Sequence, residues 1–414
     1  MENSTIDKDE LEEVKVVRRK PKTPNTTSYS IDENVVKSGN KNRNRSKNRN
    51  NTKKAKNKKK SKLPAVFTVL FSLGSIGIIV VLFLLYGPYK GFRDWYITTA
   101  MTTMTHQYLA YWFYDEDTIE YVMDNNKVVD LEVDTDTTLI DTSLASAKVT
   151  EYENEYEKAI LERDPNNDDY KIIEISGKTY DGYLVAVYDP SRIHTVCTEN
   201  LGKSGQYLTT MAKNNDALIA INGGGFNDPN FNSTGGDPLG ITVCNGKYLT
   251  QAQYNGSGGI IGFNEDDVLV LTKCTMAEAQ KSGIRDAVTF GPFLIVNGTP
   301  AKIVGNGGWG VAPRTAIGQR KDGIVLFLII DGRKGTKQGA SIKDLQDIMI
   351  DYGAYNASNL DGGTSSVLVV NDQIVNDPID STGAHKTRPI STGFILSKDE
   401  SDDSDHEVVA DKLD

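Results

Sequence analysis

Hydrophobic positions recur along this chain in three rhythms. From Leu63 to Tyr86 the run LPAVFTVLFSLGSIGIIVVLFLLY contains no charged side chain. It predicts a helix long enough to cross a bilayer core, which needs about 20 apolar residues. It lacks the short apolar stretch and small-residue cleavage site of a secretory signal. Residues 87–125 mix aromatics, Met and polar side chains at helical spacings, and predict either one membrane-proximal stalk helix or two helices broken near Asp115. Residues 126–169 are acidic and weakly patterned. They read as a spacer, with one short helix in EYENEYEKAILERD ending before Pro165.

From about Tyr170 the rhythm changes to short apolar runs punctuated by Gly, Asn and Asp, the alternation of strands and turns. Strands are predicted at 183–189, 217–222, 239–250, 258–263, 267–272, 289–298, 315–320, 323–331, 366–375 and 392–397. Two helices stand out, 209–215 and 341–354. In the second, Ser341 is the N-cap and Gly353 the terminator. Its Ile342, Leu345, Ile348, Met349 and Tyr352 share one face. The expected class is α+β: a strand-rich, mixed-sheet domain with few helices over 170–398, preceded by one transmembrane helix. The divisions are then a basic disordered tail 1–62, the span 63–86, a membrane-proximal stalk and spacer 87–169, the domain 170–398, and an acidic disordered tail 399–414.

Charge orients this plan. The net charge of −10 divides into +11 over residues 1–62 and −21 over the rest. Lys41–Lys62 holds twelve Lys or Arg and no acid, directly before the span. Such a run marks the cytoplasmic side and attracts anionic lipid. The expectation is a single-pass cell-membrane protein, its N-terminus cytoplasmic and its C-terminal domain extracellular. Placement beside a span weighs against a nucleic-acid partner for the basic arm. Tyr86, Tyr89, Phe92, Trp95 and Tyr96 follow the span as an interfacial aromatic belt. The three cysteines, Cys197, Cys244 and Cys274, have no zinc spacing, and their pairing is not legible.

Chemistry concentrates in a few glycine-flanked clusters. In AINGGGFND (220–228) a strand ends at Asn222, and Gly223, Gly224 and Gly225 would let amides approach an anion or a sugar. GPFLIVNG (291–298) reads as an edge or bulge followed by a hairpin turn. In APRTAIG (312–318) Arg314 sits at a strand mouth, and in LFLIIDGRKG (326–335) a fully apolar strand delivers Asp331 and Arg333. In NASNLDGGTSSVLVVN (356–371) Asp361 lies in a glycine turn, with Ser365 opening the next strand. Each also has a plainer explanation: a tight turn, a surface ion pair, an Asp-Gly corner. P-loop, HExxH, GxSxG and strand–GxGxxG motifs are absent from the sequence. The four histidines, His106, His194, His385 and His406, are too scattered for a His-based triad. Chemistry must rest on carboxylates, guanidiniums and hydroxyls. No cofactor is marked by the sequence. A divalent metal is left open, because Asp, Asn and carbonyl oxygens are hard ligands, although the spacing is not that of an EF-hand.

In this order, NGGGF (222–226), GPFLIVNG (291–298), PRTAIG (313–318), DGR (331–333), the 341–354 helix, NLDGGTSS (359–366), VN-P (375–378) and RPISTGFIL (388–396) resemble the phosphodiester glycosidase family. That is the family of N-acetylglucosamine-1-phosphodiester alpha-N-acetylglucosaminidase and of bacterial proteins labelled exopolysaccharide biosynthesis proteins. The likeness covers about 185–398, and the anchored layout looks like a Gram-positive surface protein.

The resemblance implies hydrolysis of a sugar-1-phosphodiester in a surface or exopolysaccharide glycan. Asp361 would be the catalytic carboxylate and Asp331 a second carboxylate or organiser. Arg314, Arg333 and Arg388 would bind phosphate, and Asn222, Gly223–Gly225 and Ser365 would contact substrate. Two alternatives stand beside it: a non-catalytic binder of glycopolymer, and a metal-dependent phosphodiesterase that cuts P–O.

Overall fold

The computed structural model describes residues 63–102, 106–228 and 234–398. Both tails, and the disorder and lipid contact expected of them, lie outside the described residues.

Helix α1 (Leu63–Tyr86) is the apolar run, and its side chains from Phe67 to Phe83 are almost all exposed. Its stretch Phe67–Tyr86 is long and apolar enough to cross a membrane. Ser75, a hydroxyl in this run, donates to the carbonyl of Phe71 at 2.9 Å, so the helix satisfies its own polar group.

Three helices follow: α2 (Lys90–Thr102), α3 (Tyr108–Phe113) and α4 (Glu116–Asp124). The break expected near Asp115 falls there, because Asp115 caps α4 by accepting from the amide of Thr118. The helices enclose a small core of their own with Leu85, Ile97, Ala110, Tyr114, Ile119 and Val122 buried together. This changes the predicted aromatic belt. Tyr86, Tyr89 and Trp95 are exposed, but Phe92 and Tyr96 pack against that core.

Nineteen strands, numbered along the chain, are found among the described residues. The largest sheet has the order β12 (Thr299–Pro300), β11 (Phe293–Val296), β16 (Ala354–Leu360), β14 (Arg314–Arg320), β15 (Val325–Ile330), β3 (Asp181–Val187) and β2 (Tyr170–Ser176). A second sheet has the order β18 (Gln373–Ile374), β17 (Leu368–Val370), β5 (Ala217–Asn222), β19 (Thr392–Ser397) and β4 (Ile193–Cys197). A third has the order β7 (Lys247–Gln251), β6 (Ile241–Cys244), β10 (Ile284–Phe290), β8 (Gly259–Asn264) and β9 (Leu269–Thr272). A short pair joins β1 (Lys127–Val128) to β13 (Ile303–Val304). The strand-rich α+β class holds. Within it, every described pairing is antiparallel rather than mixed.

Strand β15 explains why VLFLII carries no alternation. Val325, Phe327 and Ile329 enter the core shared with the other sheets, and Leu326, Leu328 and Ile330 enter the core on the opposite face. Both faces are covered, so the strand reads as continuous apolar sequence. The second core is roofed by the helix Ile342–Asp351, whose Ile342, Leu345, Ile348 and Met349 are buried. Ser341 and Asp344 form its capping box, and Gly353 with φ +81° follows its end.

Three predicted strands prove to be broken. The 239–250 run is the β6–β7 hairpin, turned at Asn245 and Gly246, both with positive φ. The 366–375 run is the β17–β18 hairpin, turned at Asn371 and Asp372. The 289–298 run divides at the cis Gly291–Pro292 bond into β10 and β11. The expected spacer is not one: Ala145, Ile160 and Leu161 are buried in the main core, and β1 pairs with β13. Cys197 at the end of β4 is bonded to Cys244 at the end of β6, and Cys274 is free.

Candidate active site

Three strands of the largest sheet bring three predicted residues to one edge. Arg314 opens β14 opposite Ile330, and Thr315 pairs with Leu360. Asp331 and Asp361 therefore leave β15 and β16 on either side of Arg314. Strands lie about 4.8 Å apart, so the two carboxylate-bearing residues start about 10 Å from each other. Strand β5 of the second sheet ends at the same place. The Asn222 side chain donates to the Asp361 carbonyl at 2.7 Å, and the Asp361 amide donates to the Gly223 carbonyl at 3.2 Å. Asn222 also accepts from the Thr315 hydroxyl at 2.7 Å and the Val367 amide at 3.3 Å. Its side chain is buried and engaged at both its oxygen and its nitrogen, so Asn222 ties the two sheets together beneath the site.

The glycines after it are engaged as well. The amides of Gly223, Gly224 and Gly225 donate to the Thr392 carbonyl, the Thr392 hydroxyl and the Thr289 carbonyl. A Cβ on Gly224 would lie 2.7 Å from the Thr289 carbonyl oxygen. These glycines let three strands approach closely. Their amides do not form the open anion cradle expected of them, because protein acceptors already take each N–H.

Asp361 is partly exposed. Burial raises its pKa above the ordinary carboxylate value, while the Ser365 hydroxyl, the charge of Arg388 and the Gly362 amide pull it back and Asp228 adds to the rise. The Gly362 amide donates to it at 3.0 Å. Ser365 is itself buried and contacts Asp361. Asp331 is also raised by burial. Its oxygens accept from the Asn376 side chain at 2.9 Å and the Asp377 amide at 3.0 and 3.2 Å. Asn376 in turn donates to the Ser366 carbonyl and accepts from the Leu368 amide. Asp331 thus anchors the segment that packs behind Asp361.

Three guanidiniums surround the Asp361 turn, each fixed along one side. Arg314 is buried and donates through Nε and Nη2 to the carbonyls of Ala340, Trp309 and Gly310. Its Nη1 makes no hydrogen bond to a described residue and lies 3.8 Å from a Cβ built on Gly362. Burial brings its pKa down to about 10, with Asp361 opposing that fall and nearby Arg333 adding to it. Arg333 has φ +60°, an unusual conformation for a bulky residue. Its Nη1 donates to the Thr364 hydroxyl and the Ile379 carbonyl, while Nη2 lies 3.2 Å from a Cβ built on Gly363. Arg388 is paired through Nη2 with the buried carboxylate of Asp228 and lies over the Phe226 ring. Fixing a guanidinium along one side leaves the rest of its planar fork for a phosphate.

Residues 215–397 match the family model described as phosphodiester glycosidase. Residues 215–397 thus form a domain of the phosphodiester glycosidase type. A SPbeta prophage-derived uncharacterized protein, YomE, of Bacillus subtilis (strain 168) is 29% identical over 178 residues, which are 41% of this chain and 27% of the relative. The chain thus spans about a quarter of that relative's length. The catalytic domain of zebrafish N-acetylglucosamine-1-phosphodiester alpha-N-acetylglucosaminidase, auto-inhibited by its pro-peptide, is similar with a TM-score of 0.47 at 21% identity, covering 56% of this chain and 83% of that one. A hypothetical protein from Synechocystis is similar with a TM-score of 0.37 at 16% identity, covering 55% and 61%.

Within residues 215–397 the structure adds residues that sequence reading did not select. Asn376 and Thr392 hold the site's segments, and Asp228 holds Arg388. Asn376 lay within the VN-P stretch and Asp228 closed the NGGGFND cluster, but nothing local marked either as a partner of a residue far along the chain. No three of His, Cys, Asp and Glu come together as a metal-binding group among the described residues.

Proposed function

We propose that this protein is a membrane-anchored hydrolase that cleaves the sugar-side C–O bond of a sugar-1-phosphodiester in a cell-surface glycan, with its domain outside the cell. The observation that carries the reading is the Asp361 turn, where one raised-pKa carboxylate lies among the guanidiniums of Arg314, Arg333 and Arg388.

The chemistry follows from charge. A phosphodiester brings a negative phosphate, which the arginine forks recognise. Breaking the anomeric C–O bond sends its electron pair to the phosphate oxygen, and the phosphate monoester is a good leaving group that needs little protonation. Positive charge develops at the anomeric carbon. The Asp361 carboxylate stabilises that charge or accepts a proton from the attacking water, whose oxygen becomes the sugar hydroxyl. Asp331 supports the site by holding Asn376 and Asp377.

The test is hydrolysis of a GlcNAc-1-phosphate diester in ¹⁸O-water by the full chain in detergent, with Asp361→Asn alongside. Label in the released sugar, lost in the variant, is the expected result. Label in phosphate would replace this reading with P–O cleavage. Saturable binding without product from any sugar tested would replace it with a glycopolymer binder.

A further inference from the structure

The membrane-proximal helices carry a surface that the catalytic reading does not use. Helix α3 is six residues, YLAYWF, and its outward side chains are aromatic. Tyr108, Tyr111 and Trp112 are 46%, 51% and 68% exposed. The rings of Tyr108 and Trp112 stack edge-on with centroids 5.0 Å apart, so they form one patch. A water-facing helix seldom leaves three large aromatics uncovered, whereas Trp and Tyr are favoured where one end of a ring meets lipid and the other meets water.

The position of the patch is fixed by the end of α1. Tyr86, the last residue of that helix, donates from its hydroxyl to the Phe113 carbonyl at 2.9 Å. Tyr114 donates to the Leu85 carbonyl at 2.7 Å, and the rings of Tyr86 and Tyr114 are 5.9 Å apart. Leu85 is buried inside the helical cluster. Trp112 is therefore the immediate chain neighbour of a residue bonded to the last turn of the apolar helix. With α1 across a bilayer, that turn lies at the boundary between hydrocarbon and headgroups. Trp112, Tyr108 and Tyr111 lie with it.

We propose that α3 is an interfacial foot: its aromatic face sits in the headgroup layer of the bilayer that α1 spans, and so presses the helical neck onto the membrane. The partner is the lipid interface itself. Selection of anionic lipid is not expected, because the adjoining α4 is acidic, with Glu116, Asp117, Glu120 and Asp124. The inference rests on the reading of α1 as a span, and it is independent of catalysis.

The chain has three tryptophans, Trp95, Trp112 and Trp309. The full chain bearing Trp95→Phe and Trp309→Phe, reconstituted in phosphatidylcholine nanodiscs, leaves Trp112 as the only reporter. Lipid brominated high on the acyl chain should lower its emission about twofold, and lipid brominated at the chain end should do so less, as expected for interfacial depth. Red-shifted emission, equally bright in brominated and plain discs that carry the protein, would overturn the foot while leaving the span intact. Protein absent from the disc fraction would overturn both. The catalytic reading is scored separately by the isotope experiment.

Discussion

Asn222 and Asp361 hold each other by the backbone. The Asn222 amide reaches the Asp361 carbonyl at 2.7 Å, and the Asp361 N–H returns to the carbonyl of the residue after Asn222. The side chain of Asn222 thus fixes the backbone that carries the Asp361 carboxylate. Asn222→Ala removes this bond and the acceptor for Thr315 and Val367. The loss should be about 2 kcal/mol of stability, read by denaturant melting, together with a lower kcat at nearly unchanged KM. Unchanged kcat would separate Asn222 from catalysis.

Asp361→Asn should lower turnover by about 10²-fold or more with the fold intact. The proposed mechanism uses the ionised carboxylate, and burial raises its pKa. The acid limb of kcat/KM should therefore lie above about pH 3.9, with activity lost as pH falls through it. A limb at or below the ordinary carboxylate value would assign the titration to another group.

Arg314 predicts the opposite limb. Its guanidinium loses its proton near pH 10. Phosphate affinity should weaken as pH rises through that value, seen as a rising KM. Arg314→Lys replaces a planar fork with a point charge and deprives the carbonyls of Ala340, Trp309 and Gly310 of their donors. It should destabilise the domain by about 2 kcal/mol or more as well as weaken binding.

Asp331 separates an organiser from a reactant. Asp331→Asn keeps an acceptor oxygen for the Asp377 amide, so activity should stay within about tenfold of the starting protein. Asp331→Ala frees both Asn376 and Asp377 and should mainly raise KM. If Asp331→Asn were as damaging as Asp361→Asn, the second carboxylate would act on the substrate directly.

The Cys197–Cys244 bond closes a loop with a sequence separation of 47. Chain entropy assigns such a loop about 4 kcal/mol. The double Cys→Ser variant should melt at correspondingly lower denaturant, and a non-reduced digest should show the two peptides linked. Free thiols at both positions in protein recovered from its native membrane would argue against an oxidising location for this domain.

Much of this architecture is legible in local sequence, and its failures have a common cause. The helix Ile342–Asp351 is readable because its cap, its apolar face and its terminating glycine are all local. β15 is readable because both its faces are buried. Hairpins at Asn245–Gly246 and Asn371–Asp372 were absorbed into single runs, since apolar residues flank each turn closely. β2 and β4 were missed: IHTVC carries polar residues whose partners, such as Asp286 for the Thr195 amide, lie elsewhere in the chain. The site follows the same division. Asp331 and Asp361 could be found because each stands at a strand end beside glycine, and Arg314 because it follows Pro313 and opens a strand. The engagement of the Gly223–Gly225 amides and the tie from Asn376 to Asp331 depend on contacts 45 to 169 residues apart, which no local pattern encodes.

The loop 305–310 joins two regions that sequence keeps apart. On one side Asn306 donates to Thr98 of α2 at 2.9 Å and its amide donates to the Asn126 side chain, while a Cβ on Gly310 would lie 3.2 Å from the Thr99 hydroxyl. On the other side the carbonyls of Trp309 and Gly310 hold Arg314. Arg314 and the helical post thus share one short piece of backbone. With α1 across a bilayer, such a mount works as a ruler. Under the proposed function it would set the height above the lipid at which a bond is cut, and glycans would be selected by where along their length a phosphodiester occurs as much as by which sugar it carries.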